Sequence, residues 1–323
     1  MPTAKKMSYA LFAGTVVATI WLKLGPVVLA ALFSFMVLDI THRRLAALMP
    51  EPTARGLSLL IFLVTAVGVA WMFIFFLKLT LLRTPAILTV LIPRIHSMAE
   101  SYGFDLPFED LHQLRQIILQ TVKENAGDVT EASGLLTKRV FQIIVSVFVA
   151  ILCFLSEGPR TGRDTLFDSI RREVDDRVGL FMRGFEKILG AQVLVSFINT
   201  GITALFILAM GLPHVNFLIL ATFILGIIPI LGNVISNAII VATALTISAH
   251  LALIALAFLI IIHKLQYFLN SQIVGARTNI PIWQILLGLL IGEAVLGVPG
   301  IILAPAMLHY VREELRALPD KPR

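Results

Sequence analysis

The sequence predicts an all-α integral membrane protein, with six to eight membrane-embedded helical segments, two of them broken or re-entrant hairpins, and amphipathic polar segments besides. Composition is the first observation: 58% of residues are hydrophobic, 14% are charged and mean hydropathy is +0.90. A water-soluble globule of 323 residues has too small an interior for so much apolar side chain. The second is the recurrence of apolar runs near the length of about 20 residues that crosses a bilayer. The third is that two of the longest, 215–249 and 282–309, are punctuated by glycine and proline, which argues against plain spanning rods.

The net charge of +6 sits in connecting segments, so it reads as topology and not as a nucleic-acid surface, and no basic-aromatic interleaving accompanies it. Cys153, the one cysteine, lies in an apolar run with no partner for a disulfide or a thiolate metal site. No metal and no cofactor is predicted. Lys5 and Lys6 precede an apolar stretch that ends in no small-residue cleavage site, which predicts an uncleaved first helix.

Residues 1–84 hold three predicted spans. The runs 7–22 and 24–41 form a helical hairpin around Lys23, Gly25 and Pro26, and a third run, 56–82, ends at Arg83, Thr84 and Pro85. Lys5, Lys6, Arg43, Arg44 and Arg55 place the N-terminus and the 42–56 loop on the cytoplasmic side. Residues 85–137 are too polar to span. Acidic residues such as Glu100, Asp105, Glu109 and Asp110 outnumber basic ones there, as in an extracytoplasmic segment. Within it Leu111, Leu114, Ile118 and Val122 recur at helical spacing, predicting an amphipathic helix that caps the membrane domain.

The fourth span is 138–156. The following segment, 157–187, carries Arg160, Arg163, Arg171, Arg172, Arg177, Arg183 and Lys187, so it is predicted cytoplasmic. Phe167, Ile170, Val174, Val178, Phe181 and Phe185 follow a helical period, and this amphipathic helix should run straight into the fifth span, 190–211. Residues 188–310 then form a core with broken helices, ahead of a cytoplasmic tail, 311–323.

Within that core, 215–249 has no charge over 35 residues. As one helix it would measure roughly 50 Å, far beyond the hydrocarbon thickness, so it must break. Gly226, Pro229, Gly232 and Asn233 supply a helix stop, a restricted turn and a cap for a new helix. A further apolar run, 251–268, is interrupted by His263, Lys264 and Gln266. The last, 282–309, carries Gly288, Gly292, Gly297, Pro299, Gly300 and Pro305, and a single carboxylate, Glu293. Leaving that carboxylate in hydrocarbon costs about 2.5 kcal/mol or more, so it must face protein, water or an ion.

Four pieces together resemble the autoinducer-2 exporter family of bacterial membrane transporters. They are GIIPILGN at 226–233, the NSQIVG element at 270–275, Pro281 opening the next helix, and LLGLLIGEAVLGVPGIILAP at 286–305. The order of segments fits along nearly the whole chain. Where the family pattern has a lysine near the 270–275 element, this chain has Gln272 and Val274. The resemblance implies transport: export of a small polar molecule such as the quorum signal autoinducer-2, or sodium/proton exchange as in some relatives. It also implies the bacterial inner membrane and a homo-oligomer, a pentamer being the form it points to; six or eight crossings from a cytoplasmic N-terminus put both termini on the cytoplasmic side. The residues themselves give no stoichiometry.

Glu293 is the leading candidate for a proton or cation relay; its bland alternative is a carboxylate bonded to backbone freed by neighbouring glycines. Asn270 and Asn233 either line a polar path or cap helix ends, and capping is the simpler account. Pro229, Gly232, Gly297, Pro299 and Pro305 are the candidate hinges, and Gly288 with Gly292 has the small-xxx-small spacing of close helix packing. An enzyme is not expected, since HExxH, GxSxG, P-loop and Cys/His metal patterns are missing. A membrane scaffold using the polar segments is the remaining alternative. The predicted partners are the lipid bilayer, further copies of the chain and a small-molecule or ion substrate.

Overall fold

A computed structural model describes residues 3–104, 112, 113, 116, 120, 126–156, 165–228, 231–270 and 281–317. The described residues form ten helices: α1 (Thr3–Trp21), α2 (Gly25–Ala46), α3 (Glu51–Ser101), α4 (Ala126–Leu155), α5 (Leu166–Ala209), α6 (Val215–Gly226), α7 (Leu231–Leu245), α8 (Ala249–Asn270), α9 (Ile282–Leu296) and α10 (Val298–Arg316). Among the described residues, five stretches are long and apolar enough to cross a membrane: Gly25–Ala46, Glu51–Ser101, Thr137–Leu155, Leu166–Ala209 and Ala249–Gln266. The predicted helical membrane class is therefore the observed one.

One helix boundary differs from the sequence expectation. The helix that carries the third span does not stop at Pro85, because α3 continues through Pro85 and Pro93 to Ser101. A proline removes one backbone bond and bends a helix, but long flanking apolar turns can hold it together, and freed groups are met locally. Thr89 Oγ1 adds a further side-chain bond one turn on, donating to the Pro85 carbonyl at 2.8 Å. The fourth span is where it was expected, at Thr137–Leu155, on a helix, α4, that begins twelve residues ahead of the predicted span. The amphipathic positions Leu111, Leu114, Ile118 and Val122 lie outside the described residues, as do Pro229, Gln272 and Val274.

The chain divides into two compact units, with boundaries inside α3, α4 and α5 and between α8 and α9. The first holds residues 1–67, 138–191 and 273–323. Its apolar core sets Met36 of α2 against Met182, Phe185 and Leu189 of α5 and Leu303 and Ala306 of α10. A polar knot ties α1, α5 and α10 together: Arg177, 3% exposed, donates from Nε to Ser8 Oγ at 2.8 Å and from Nη1 to Glu314 Oε1 at 2.7 Å. Its guanidinium also lies 3.6 Å over the Tyr9 ring, and the Tyr9 hydroxyl donates to the same Glu314 oxygen. Burial pushes the Glu314 carboxyl up, but the Tyr9 and Arg177 hydrogen bonds and the Arg177 charge outweigh it and hold the group below the ordinary carboxylate range.

The second unit holds residues 68–137 and 192–272. Ile207 of α5, Phe217 and Leu218 of α6, and Ile240 and Ala244 of α7 make its core, beside the stacked pair Phe206 and Phe258, whose centroids lie 4.0 Å apart.

Candidate functional site

Both interrupted stretches fold as antiparallel helix pairs. At 12, 15 and 15 residues, α6, α7 and α9 each fall short of the ~20 that a single crossing needs. In the C-terminal pair, α9 ends at Leu296, and the Gly297 amide caps it by donating to the Glu293 carbonyl at 2.7 Å. Gly297 turns the chain with φ +67° and ψ −147°, a region open to glycine and strained for other residues. Beyond the turn the backbones nearly touch. A Cβ on Gly292 would lie 2.5 Å from the Gly300 carbonyl oxygen, and one on Gly288 would lie 2.5 Å from Leu308 Cδ1. Pro299 sits in the first turn of α10 against Gly25 of α2, and Pro305 lies buried within α10. Glu293 itself is exposed, on a face of α9 shared with Leu286 and Leu290.

The other break, between Gly226 and Leu231, is held by α5. A helix end leaves its last four carbonyls without intrahelical donors. Two of these are met by side chains: Ser196 Oγ donates to Phe223 O at 2.8 Å, and Gln192 Nε2 donates to Gly226 O at 2.9 Å. Across the break Gly232 comes so close to α6 that a Cβ would fall 1.7 Å from the Leu225 carbonyl oxygen. The far end of α7 is closed in the same way, with Arg94 Nη1 donating to Leu245 O at 2.6 Å.

Gln192 and Ser196 begin a buried polar stripe on α5 that continues through Asn199 and Thr203, with Thr200 alongside. The intervals of four, three and four residues keep them on one helical face. Asn199, Thr200 and Thr203 are 5%, 8% and 1% exposed, yet Asn199 Oδ1 and both threonine hydroxyls have no hydrogen-bond partner among the described residues. Thr222 and Thr243 in the same unit behave differently, each donating to the carbonyl four residues back in its own helix. Asn233 Oδ1, on α7 beside Gly226, is a fourth buried oxygen without a partner. These oxygens are neutral. They suit a ligand that donates hydrogen bonds or a monovalent cation, and no group of three His, Cys, Asp or Glu able to hold a metal occurs among the described residues.

Sequence reasoning singled out Asn233, which lies at this break, and Glu293, which belongs to the other unit. It passed over the stripe, although polar residues spaced four, three and four apart inside an apolar run were the signal that marks it. Asn270 is the last residue of α8, and its side chain lies outside the described set.

Long apolar helices, two interrupted antiparallel pairs and buried polar groups at one break together define a multi-pass helical membrane protein with discontinuous helices. The chain belongs to the AI-2E family of transporters, whose family model matches residues 8–320. It is also similar to the candidate transport protein YdbI of Bacillus subtilis (strain 168), with 30% identity over 137 residues. That match covers 42% of this chain and 39% of YdbI, so the chain spans about two fifths of the length of this curated relative.

Proposed function

We propose that the protein exports a small polar molecule, of the chemical kind that includes autoinducer-2, along the polar stripe of α5 at the α6–α7 break. The buried unpartnered oxygens of Asn199, Thr200, Thr203 and Asn233 carry this reading. In hydrocarbon each such group costs free energy, and interrupted helices with exposed polar backbone are where transporters form their sites. Membership of a transporter family supports it and gives no support to an enzyme.

Glu293 is the coupling group in this proposal. A carboxylate on an otherwise apolar exposed face needs a water-filled path or a neighbouring copy, and it can load and release a proton or a monovalent cation as access alternates. The same need supports a homo-oligomer, while the family resemblance supports the bacterial inner membrane, and Lys5, Lys6, Arg43, Arg44 and Arg55 support a cytoplasmic N-terminus by the positive-inside rule. The test is flux into reconstituted vesicles for a panel of small polar metabolites, autoinducer-2 among them, under imposed sodium or proton gradients. Glu293→Gln keeps the size of the side chain and removes the carboxylate. This variant should insert and assemble normally but lose the pH dependence of transport. An unchanged pH profile makes Glu293 a structural group, and absence of flux for every solute under every gradient sinks the transport reading in this form.

A further inference from the structure

Around the α5 stripe, hydrogen-bond donors and acceptors are out of balance. The donors are spent on backbone. Gln192 Nε2 and Ser196 Oγ serve the Gly226 and Phe223 carbonyls at the end of α6. Thr222 on α6 and Ser236 and Thr243 on α7 are the hydroxyl side chains of those two helices, and each donates to a carbonyl three or four residues back in its own helix, at 2.8, 3.1 and 2.8 Å. What is left over accepts. Asn199 Oδ1 and Asn233 Oδ1 can only accept, Thr200 Oγ1 and Thr203 Oγ1 can accept or donate, and all four are buried without a partner. Charge is missing as well: α6, α7 and residues 192–209 contain no Asp, Glu, Lys, Arg or His. Because these oxygens are covered, a solute reaches them when α6 moves off α5, the kind of step that alternating access requires.

Resting on the transport reading, we propose that the stripe takes an uncharged solute carrying several hydroxyls, which donate to these oxygens, and that it turns away ions of either sign. An anion would meet two acceptor-only amide oxygens and no cation. A cation needs several oxygens converging on one point, and discontinuous helices usually supply them as freed backbone carbonyls. Here the Gly226 and Phe223 carbonyls already hold the Gln192 and Ser196 donors. The stripe oxygens are also spread out, since Asn199 and Thr203 stand four residues apart, about 6 Å along the helix axis. That spacing suits a chain of hydroxyls better than a single ion. A hydroxyl pairs both ways, donating to an amide oxygen and accepting from a threonine. Discrimination is steep in such a site, because a solute without the donors leaves buried acceptors unpaired.

Equilibrium binding tests this separately from flux. Tritium-labelled erythritol and ribitol are bound to the detergent-solubilised protein, with erythronate, ribonate and aminodeoxyribitol as charged competitors built on the same skeletons. At least one polyol should bind, and the charged analogues should compete about tenfold worse or more. Sodium chloride, against choline chloride at equal strength, should not displace the polyol. Thr200→Val and Asn199→Leu should each weaken binding about fivefold by removing one acceptor, and Gly14→Ala, on open surface in α1, should leave it unchanged. A charged analogue that competes as well as the polyol, displacement by sodium, or an affinity unchanged in both stripe variants overturns the proposal. So does a wild-type protein that binds neither polyol, whatever it carries in the flux panel. Polyol binding without flux of any solute keeps the assignment of ligand class and removes the transport reading alone.

Discussion

Replacing Arg177 with Gln strands several groups at once. Ser8, Tyr9 and Glu314 all lose a partner at a site where the guanidinium is 3% exposed, and breaking a buried pair from one side costs about 3–5 kcal/mol. Thermal unfolding of the detergent-solubilised protein should register that loss, with Glu314→Gln milder because it keeps hydrogen bonding. The pH dependence has a definite sign. Since the folded state holds the Glu314 carboxyl below its ordinary range, its contribution is complete above the unfolded-state value and is lost as pH falls through the lower folded one. Acid should therefore destabilise the native protein more steeply than Glu314→Gln. This pairing was not legible in the sequence, where Arg177 reads as one of several loop cations and its carboxylate partner stands 137 positions away. Glu293 was legible because a lone carboxylate in an apolar run stands out without knowledge of its neighbours.

The two helix breaks were legible for a different reason: glycine and proline act on the local backbone, and local effects can be read from local sequence. The same rule misled at Pro85, where α3 carries on, since a proline only weakens a helix and flanking turns decide whether it ends. What local sequence could not show is how closely the returning strands of chain approach. Gly292→Ala and Gly232→Ala each place a Cβ on a backbone oxygen, at 2.5 Å and 1.7 Å, so the helix pairs must spread, at a cost of about 1–3 kcal/mol or more. Gly14→Ala, on open surface in α1, should be neutral or gain about 0.5–1 kcal/mol. Denaturation midpoints of the three variants compare these directly, and equal midpoints would contradict the packing.

For the whole molecule, the short paired helices favour a chain that folds back at α6–α7 and α9–α10 and crosses the membrane six times. The end of α8 and the residues that follow it up to 279 are then expected on the cytoplasmic side. With Cys153 replaced, Ser271→Cys should react with a membrane-impermeant thiol reagent only after permeabilisation, and labelling in intact cells would rule the arrangement out. The central claim is that the α5 stripe serves a passing solute and is not a tolerated defect, and the double substitution Thr200→Val with Thr203→Val distinguishes the two. It removes two unpartnered hydroxyls at nearly constant shape, which leaves stability unchanged or higher because no hydrogen bond is lost on folding. If the hydroxyls meet a solute, flux in reconstituted vesicles should fall by roughly fivefold per hydroxyl, about 1 kcal/mol each, in protein that unfolds no earlier than wild type. Flux equal to wild type at unchanged stability would contradict the account.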